Sequence, residues 1–167
     1  MRAFFCIGIT FFLFQALFSQ TSDEPDKEVS HTFYITSHLG DVSFQDAKGM
    51  LEAINTASKK DENATLLLLG NVVNNDGFPS KEEKQESAKA YLKPLMQVWD
   101  DFNGNVILTP GKNEWLTDAP QSIDDLESYL QDNSKAKFWP NDGCPLERED
   151  INDEVVLEMV DSQWFLE

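Results

Sequence analysis

Short apolar runs alternate with segments of helical periodicity along this chain, and that alternation constrains the fold more than any other feature. The runs, rich in β-branched, aromatic or leucine side chains, occupy residues 32–36, 65–69, 106–108 and 155–160. Between them, apolar side chains recur every three to four positions over residues 43–60, over 80–102 and from residue 122 onward. The alternation predicts a layered α/β domain with a largely parallel sheet.

Capping residues refine the predicted helices. Ser80 with Glu83 forms a capping-box pattern and predicts the start of the second helix there. Pro94 lies inside that helix and predicts a kink, because proline removes one main-chain hydrogen bond. Ser122 with Asp125 predicts the start of the third helix.

The net charge limits the classes of partner that this protein can bind. The 167 residues carry 30 acidic and 13 basic side chains, which give a net charge of -17. Such a surface repels phosphate backbones, so nucleic-acid binding is excluded and anionic membranes are disfavoured. The length fits one domain, and the two cysteines, Cys6 and Cys144, are too few for a disulfide scaffold or a thiolate zinc site.

The first twenty residues have the layout of a secretory signal peptide. Arg2 is their only charge, and an apolar stretch over residues 3–18 follows it. We expect cleavage near Ser19 or Gln20, a flexible lead-in over residues 21–30, and a folded domain over residues 31–167. The protein is then secreted or periplasmic and free of the membrane; a retained N-terminal anchor is the alternative.

Polar side chains follow each predicted strand. Ligands of open α/β sheets bind at the carboxyl ends of strands, so the loops at residues 37–43, 70–79, 111–116 and 161–164 are the candidate sites. Four residues of the second loop also suit a simple turn, because Asn and Gly tolerate left-handed backbone conformations: Asn71, Asn74, Asn75 and Gly77.

Four segments resemble the calcineurin-like metallophosphoesterases. LLLLGNVVNNDGFP and VILTPGKNEW resemble the second and third motifs of that family, which read GD, and GNH followed by Asp or Glu. FWPNDGCP and VVLEMVDSQWFLE are similar to segments of an exported bacterial branch. The resemblance covers residues 32–167 and implies the first half of a β-sandwich flanked by helices. It also implies truncation at the C-terminus, before the family's later histidines.

The family holds two divalent ions (Mn, Fe or Zn) that activate a water and clamp the phosphoryl group. The resemblance places Asn71 at the bridging aspartate, Lys112 at the amide ligand and Asn113 at the catalytic histidine. None of these replacements suits its role, because an amide carries no charge and an ammonium has no lone pair. Glu114 matches the residue that orients the histidine.

The first motif allows two alignments. Either Ser37 or Asp41 stands at the family's metal-binding aspartate, and His38 is a ligand only in the second alignment.

Because the metal-site residues are replaced, we expect no metal or other cofactor and a catalytically impaired protein, a pseudo-phosphatase. One alternative is an active phosphoester hydrolase with a rearranged metal site, drawn from Asp41, Asp76, Glu114 or Asp161. The other is a small acidic exported binding protein.

Half of a two-sheet fold would leave one face of its sheet uncovered. We expect an open apolar face around residues 106–108 and 155–160, or a partner that covers it, such as a second copy of the chain.

Overall fold

The computed structural model describes residues 28–166, so the predicted signal peptide and most of the predicted lead-in lie outside the described residues. The described residues form six strands: β1 (Thr32–Thr36), β2 (Ala64–Leu69), β3 (Asn105–Thr109), β4 (Lys137–Phe138), β5 (Leu146–Asp150) and β6 (Val156–Val160). The same part of the chain forms four α-helices: α1 (Phe44–Ser58), α2 (Glu86–Asp100), α3 (Lys112–Trp115) and α4 (Gln121–Asn133). Among the described helices, none has the length and apolar character that a membrane span requires.

Strands β1 to β4 form a parallel sheet in sequence order. Right-handed connections in a steadily growing sheet place their helices on one face. Every second side chain of β2 and β3 points to that face and packs against the helices in one large core. These side chains include Leu66, Leu68, Val106 and Leu108. The α/β fold with a parallel sheet is therefore confirmed.

A two-stranded antiparallel hairpin, β5–β6, packs against the other face of the sheet. Leu67 and Ile107 point to that face and form a second core with Trp139 and Met159, the last of which belongs to β6. The prediction that residues 155–160 add a strand to the parallel sheet was wrong. β4 takes that place, and its two residues are too few to show a strand pattern in the sequence.

The predicted open face at residues 106–108 was also wrong, because those side chains are at most 3% exposed. The hairpin contributes to this burial: residues that alternate along β6 point inward, so Met159 is 4% exposed. Its outward residues keep the predicted exposure, with Val156 at 44% and Val160 at 48%.

Both predicted helix caps were wrong. Ser80 donates its hydroxyl hydrogen to Asp118, and α2 begins only at Glu86, after a 3₁₀ turn over Glu82–Lys84. α4 begins after Pro120, and Ser122 is buried within its first turn. The Ser80 hydroxyl thus takes part in a long-range contact, and the Ser122 hydroxyl donates to the carbonyl of Glu114 at 3.4 Å, so neither acts as a cap. α2 continues through Pro94, the position at which the sequence predicts a kink.

Candidate functional site at the carboxyl edge of the sheet

The loops that follow β1, β2 and β3 are in direct contact. The His38 N–H donates to the Gly70 carbonyl at 3.1 Å, and the Gly40 N–H donates to the Asn71 carbonyl at 2.7 Å. Gly70 and Gly111 touch through their backbones: a Cβ on Gly70 would lie 2.6 Å from the Gly111 Cα. Only glycine allows these two loops to approach so closely.

Asp41 lies at the centre of a hydrogen-bonded group that the three loops build. One of its oxygens accepts a hydrogen bond from the Asn71 side-chain amide at 2.8 Å, and the other accepts one from the Asn113 amide at 2.9 Å. The Asn71 side-chain oxygen in turn accepts the main-chain N–H of Asn113 at 3.1 Å. We call Asp41, Asn71 and Asn113 the edge network.

Asp41 is the anionic member of the edge network and is stabilised in its charged form. Hydrogen bonds from Asn71 and Asn113 lower the pKa of the Asp41 carboxyl, and the nearby charges of His38 and Lys112 lower it further. Asn113 is 2% exposed, so its amide has few alternative partners in water. At neutral pH the site therefore presents one ionised carboxylate held by two neutral amides.

Glu114 lies beneath the edge network and is completely buried. One carboxylate oxygen accepts the N–H groups of Asn71 and Gly111 at 2.8 and 2.7 Å. The other accepts those of Val72 and Val73 at 2.7 and 3.0 Å. Burial raises the pKa of Glu114, and the four N–H donors oppose that rise because they favour the charged form. Glu114 thus ties the loop after β2 to the loop after β3.

The structure also separates some of the predicted site residues. Ser37 is hydrogen-bonded to the ring of its neighbour His38 at 2.7 Å, whereas Asp41 is the first-loop residue that meets the two amides. Lys112 is exposed at the start of α3. Asp76 is exposed in the turn after β2.

Asp161, the fourth predicted carboxylate, has a separate environment. Its carboxylate accepts the indole N–H of Trp115 at 2.9 Å and the main-chain N–H groups of Gln163 and Trp164 at 3.0 and 3.3 Å. Burial raises its pKa, and these donors oppose the rise. Sequence reasoning missed the contact with Trp115, because nothing in the local pattern links residues that lie 46 positions apart.

A metal site needs a group of at least three metal-binding side chains. Residues 28–166 contain no such group of histidine, cysteine, aspartate or glutamate side chains. Comparisons with protein families, with curated proteins and with solved structures found no match to this chain. The resemblance to metallophosphoesterases therefore stays a hypothesis that rests on the four sequence segments.

Proposed function

We propose that this chain is an exported pseudo-phosphatase: a calcineurin-like metallophosphoesterase-family protein that forms the first half of the family's β-sandwich and lacks two-metal catalysis. The four-stranded parallel sheet with its helices supports the architecture, and the four segments support the family. One observation supports the loss of catalysis above all others. Both carboxylate oxygens of Asp41 already accept hydrogen bonds from Asn71 and Asn113.

The donor set of the edge network does not suit a pair of divalent ions. Two such ions need several anionic oxygens and neutral nitrogens around them. Here Asp41 supplies the network's only carboxylate, and the Asn71 side-chain oxygen is occupied by the N–H of Asn113. Lys112 adds a positive charge near Asp41, which repels cations. The edge network therefore lacks the donors that two-metal hydrolysis requires.

The decisive experiment restores the family residues. A triple variant carrying Asn71→Asp, Lys112→Asn and Asn113→His should bind Mn²⁺ in isothermal titration calorimetry, whereas the wild type should bind none. A matched control with Asn74→Asp and Asn75→His changes the same loop outside the edge network and should also bind none. A triple variant that folds yet ignores Mn²⁺ would show that this edge does not correspond to the family's metal centre.

The wild-type protein is assayed in parallel with p-nitrophenyl phosphate in the presence of Mn²⁺, Zn²⁺ or Fe²⁺. We expect no turnover. Hydrolysis that EDTA abolishes and added metal restores would overturn the proposal in favour of an active hydrolase with a rearranged site.

Export is tested on its own. N-terminal sequencing of protein recovered from outside the cytoplasm of a bacterial host should begin near residue 20. Retention of an intact N-terminus in the membrane fraction would instead support the anchored form.

A further inference from the structure

Two adjoining cavities lie beside α3 and share the side chains of Trp115, Pro120 and Trp164. Their volumes are about 300 and 480 Å³. Phe165 completes the larger cavity, and Asp124, Asp142 and Asp161 line the smaller one. We call the pair the aromatic cleft.

One buried carboxylate holds the Trp115 ring and the Trp164 main chain at the wall of the cleft. Asp161, which is 3% exposed, accepts the indole N–H of Trp115 and the main-chain N–H of Trp164 at 2.9 and 3.3 Å. The Trp164 and Phe165 rings meet edge to face with centroids 5.2 Å apart, although 43% and 62% of the two residues stay exposed. The Trp115 ring is thus held by a hydrogen bond, and the Trp164 and Phe165 rings present apolar surface to solvent.

The smaller cavity is strongly acidic. Asp124 and Asp142 also line a neighbouring cavity with Glu127, where burial and the charges of Asp142 and Asp124 raise the pKa of Glu127. In the part of the chain that the structure describes, no lysine, arginine or histidine lines any of these cavities. The carboxylates thus repel one another, and a bound cation would relieve that repulsion.

Aromatic rings with carboxylates beside them favour organic cations, because the ring face and the carboxylates both attract positive charge. Two rings elsewhere in this protein already show the preference: Lys89 lies 5.5 Å from the Tyr129 ring centre, and Lys137 lies 4.7 Å from that of Trp139. The smaller cavity of the cleft likewise brings two tryptophan side chains, Trp115 and Trp164, together with three carboxylates.

We propose that the aromatic cleft binds a basic segment of a partner polypeptide. An arginine or lysine side chain enters the acidic cavity, and an adjacent apolar residue packs against Trp115, Trp164 and Phe165. The net charge of -17 supports a basic partner, and it disfavours a second copy of this chain because two such copies repel each other. Binding at the aromatic cleft does not require metal at the edge network.

The test uses the full chain labelled with ¹⁵N and a capped tetrapeptide of sequence leucine, arginine, proline, leucine. Saturable shifts of the Trp115 and Trp164 indole N–H signals are expected, while the signal of the fully buried Trp99 stays in place. Replacing the arginine by citrulline, which keeps the shape and removes the charge, should weaken binding by about two- to fivefold. Equal affinity for both peptides, or no shift at all, overturns the proposal.

Paired variants separate the cleft from general electrostatics. Asp142→Asn should weaken binding of the arginine peptide by about two- to fivefold, whereas Asp153→Asn, the same change in the β5–β6 turn, should leave it unchanged. Trp164→Ala should weaken the binding of both the arginine and the citrulline peptide. An unchanged Trp99 indole signal shows that the variant is folded. Equal effects of the two aspartate variants overturn the proposal. So do cleft shifts that follow protein concentration alone, which would identify a second copy as the occupant.

Discussion

Among single residues, Glu114 holds together the two loops that carry most of the candidate site. Its carboxylate accepts four main-chain N–H groups, from Gly111 and from residues 71–73, so it joins backbone that follows two different strands. Asn71, whose φ of 52° is left-handed, is one of those donors and also a member of the edge network. The geometry around Asp41 therefore depends on Glu114, although no contact between their side chains is required.

Glu114→Gln should lower the free energy of unfolding by about 3 kcal/mol, because an amide NH₂ group would face N–H donors and leave some of them unpaired. Urea denaturation followed by tryptophan fluorescence measures the change. Glu62→Gln alters an exposed side chain in the same way and should change stability by no more than about 0.5 kcal/mol. A loss as small as that of the control would mean that Glu114 does not hold the loops.

Asp41 should titrate below the ordinary value of 3.8 when its carboxyl carbon is followed by NMR. Because the folded pKa is depressed, the network stabilises the protein above the ordinary value, and this contribution is lost as pH falls through the folded pKa.

Asn71→Gly keeps the left-handed backbone and removes one donor, so the pKa of Asp41 should rise toward its ordinary value. Asn75→Gly, in the same loop, serves as the control and should leave the titration unchanged. An Asp41 pKa that Asn71→Gly does not move would contradict the assigned hydrogen bond.

At the level of secondary-structure elements, the β5–β6 hairpin determines how the second face of the sheet is covered. Its inward residues Leu157 and Met159 pack against the second core, while its outward positions are mostly charged or exposed. A two-stranded hairpin is marginal in isolation, so its packing on the sheet stabilises both parts.

Met159→Ala should lower the free energy of unfolding by about 2 kcal/mol, because it removes buried volume from the second core. It should also increase binding of a hydrophobic dye as Ile107 becomes accessible. Met50→Ala is a matched control, because Met50 is 41% exposed and Met159 only 4%. It should lower the free energy of unfolding by less than about 1 kcal/mol. Equal losses in chemical denaturation would indicate that the hairpin does not cover the sheet.

For the whole molecule, the net charge of -17 acts on stability as well as on the choice of partner. Like charges on a compact surface repel, and unfolding moves them apart. Salt screens this repulsion over about 10 Å at 0.1 M ionic strength.

The Tm should therefore rise by about 3 °C when sodium chloride is increased from roughly 0.01 to 0.3 M. Potassium chloride at equal ionic strength should give the same rise in differential scanning calorimetry, because screening does not depend on the identity of the cation. A rise with only one of the two salts would point to specific cation binding instead.

Local pattern predicted much of this molecule. The bounds of β1 were predicted without error and those of β2 and β3 to within one residue, because their apolar runs are short and sharply bounded. Parallel strands place their carboxyl ends at one edge, so the proximity of the three loops that carry Asp41, Asn71 and Asn113 was also predicted from the sequence. The strand β5, of sequence LERED, was missed because it carries almost no apolar signal.

The sequence by itself determined the alternation of strands and helices and the polar residues at the strand ends, since both depend on residues close together in the chain. Only the tertiary structure decided that β6 pairs with β5 rather than with the sheet, that Asp41 rather than Ser37 meets the amides, and that Asp161 binds Trp115. Each of these depends on contacts between distant segments. Packing and hydrogen bonding across the fold determine the free energies of these contacts, so a local sequence pattern cannot predict them.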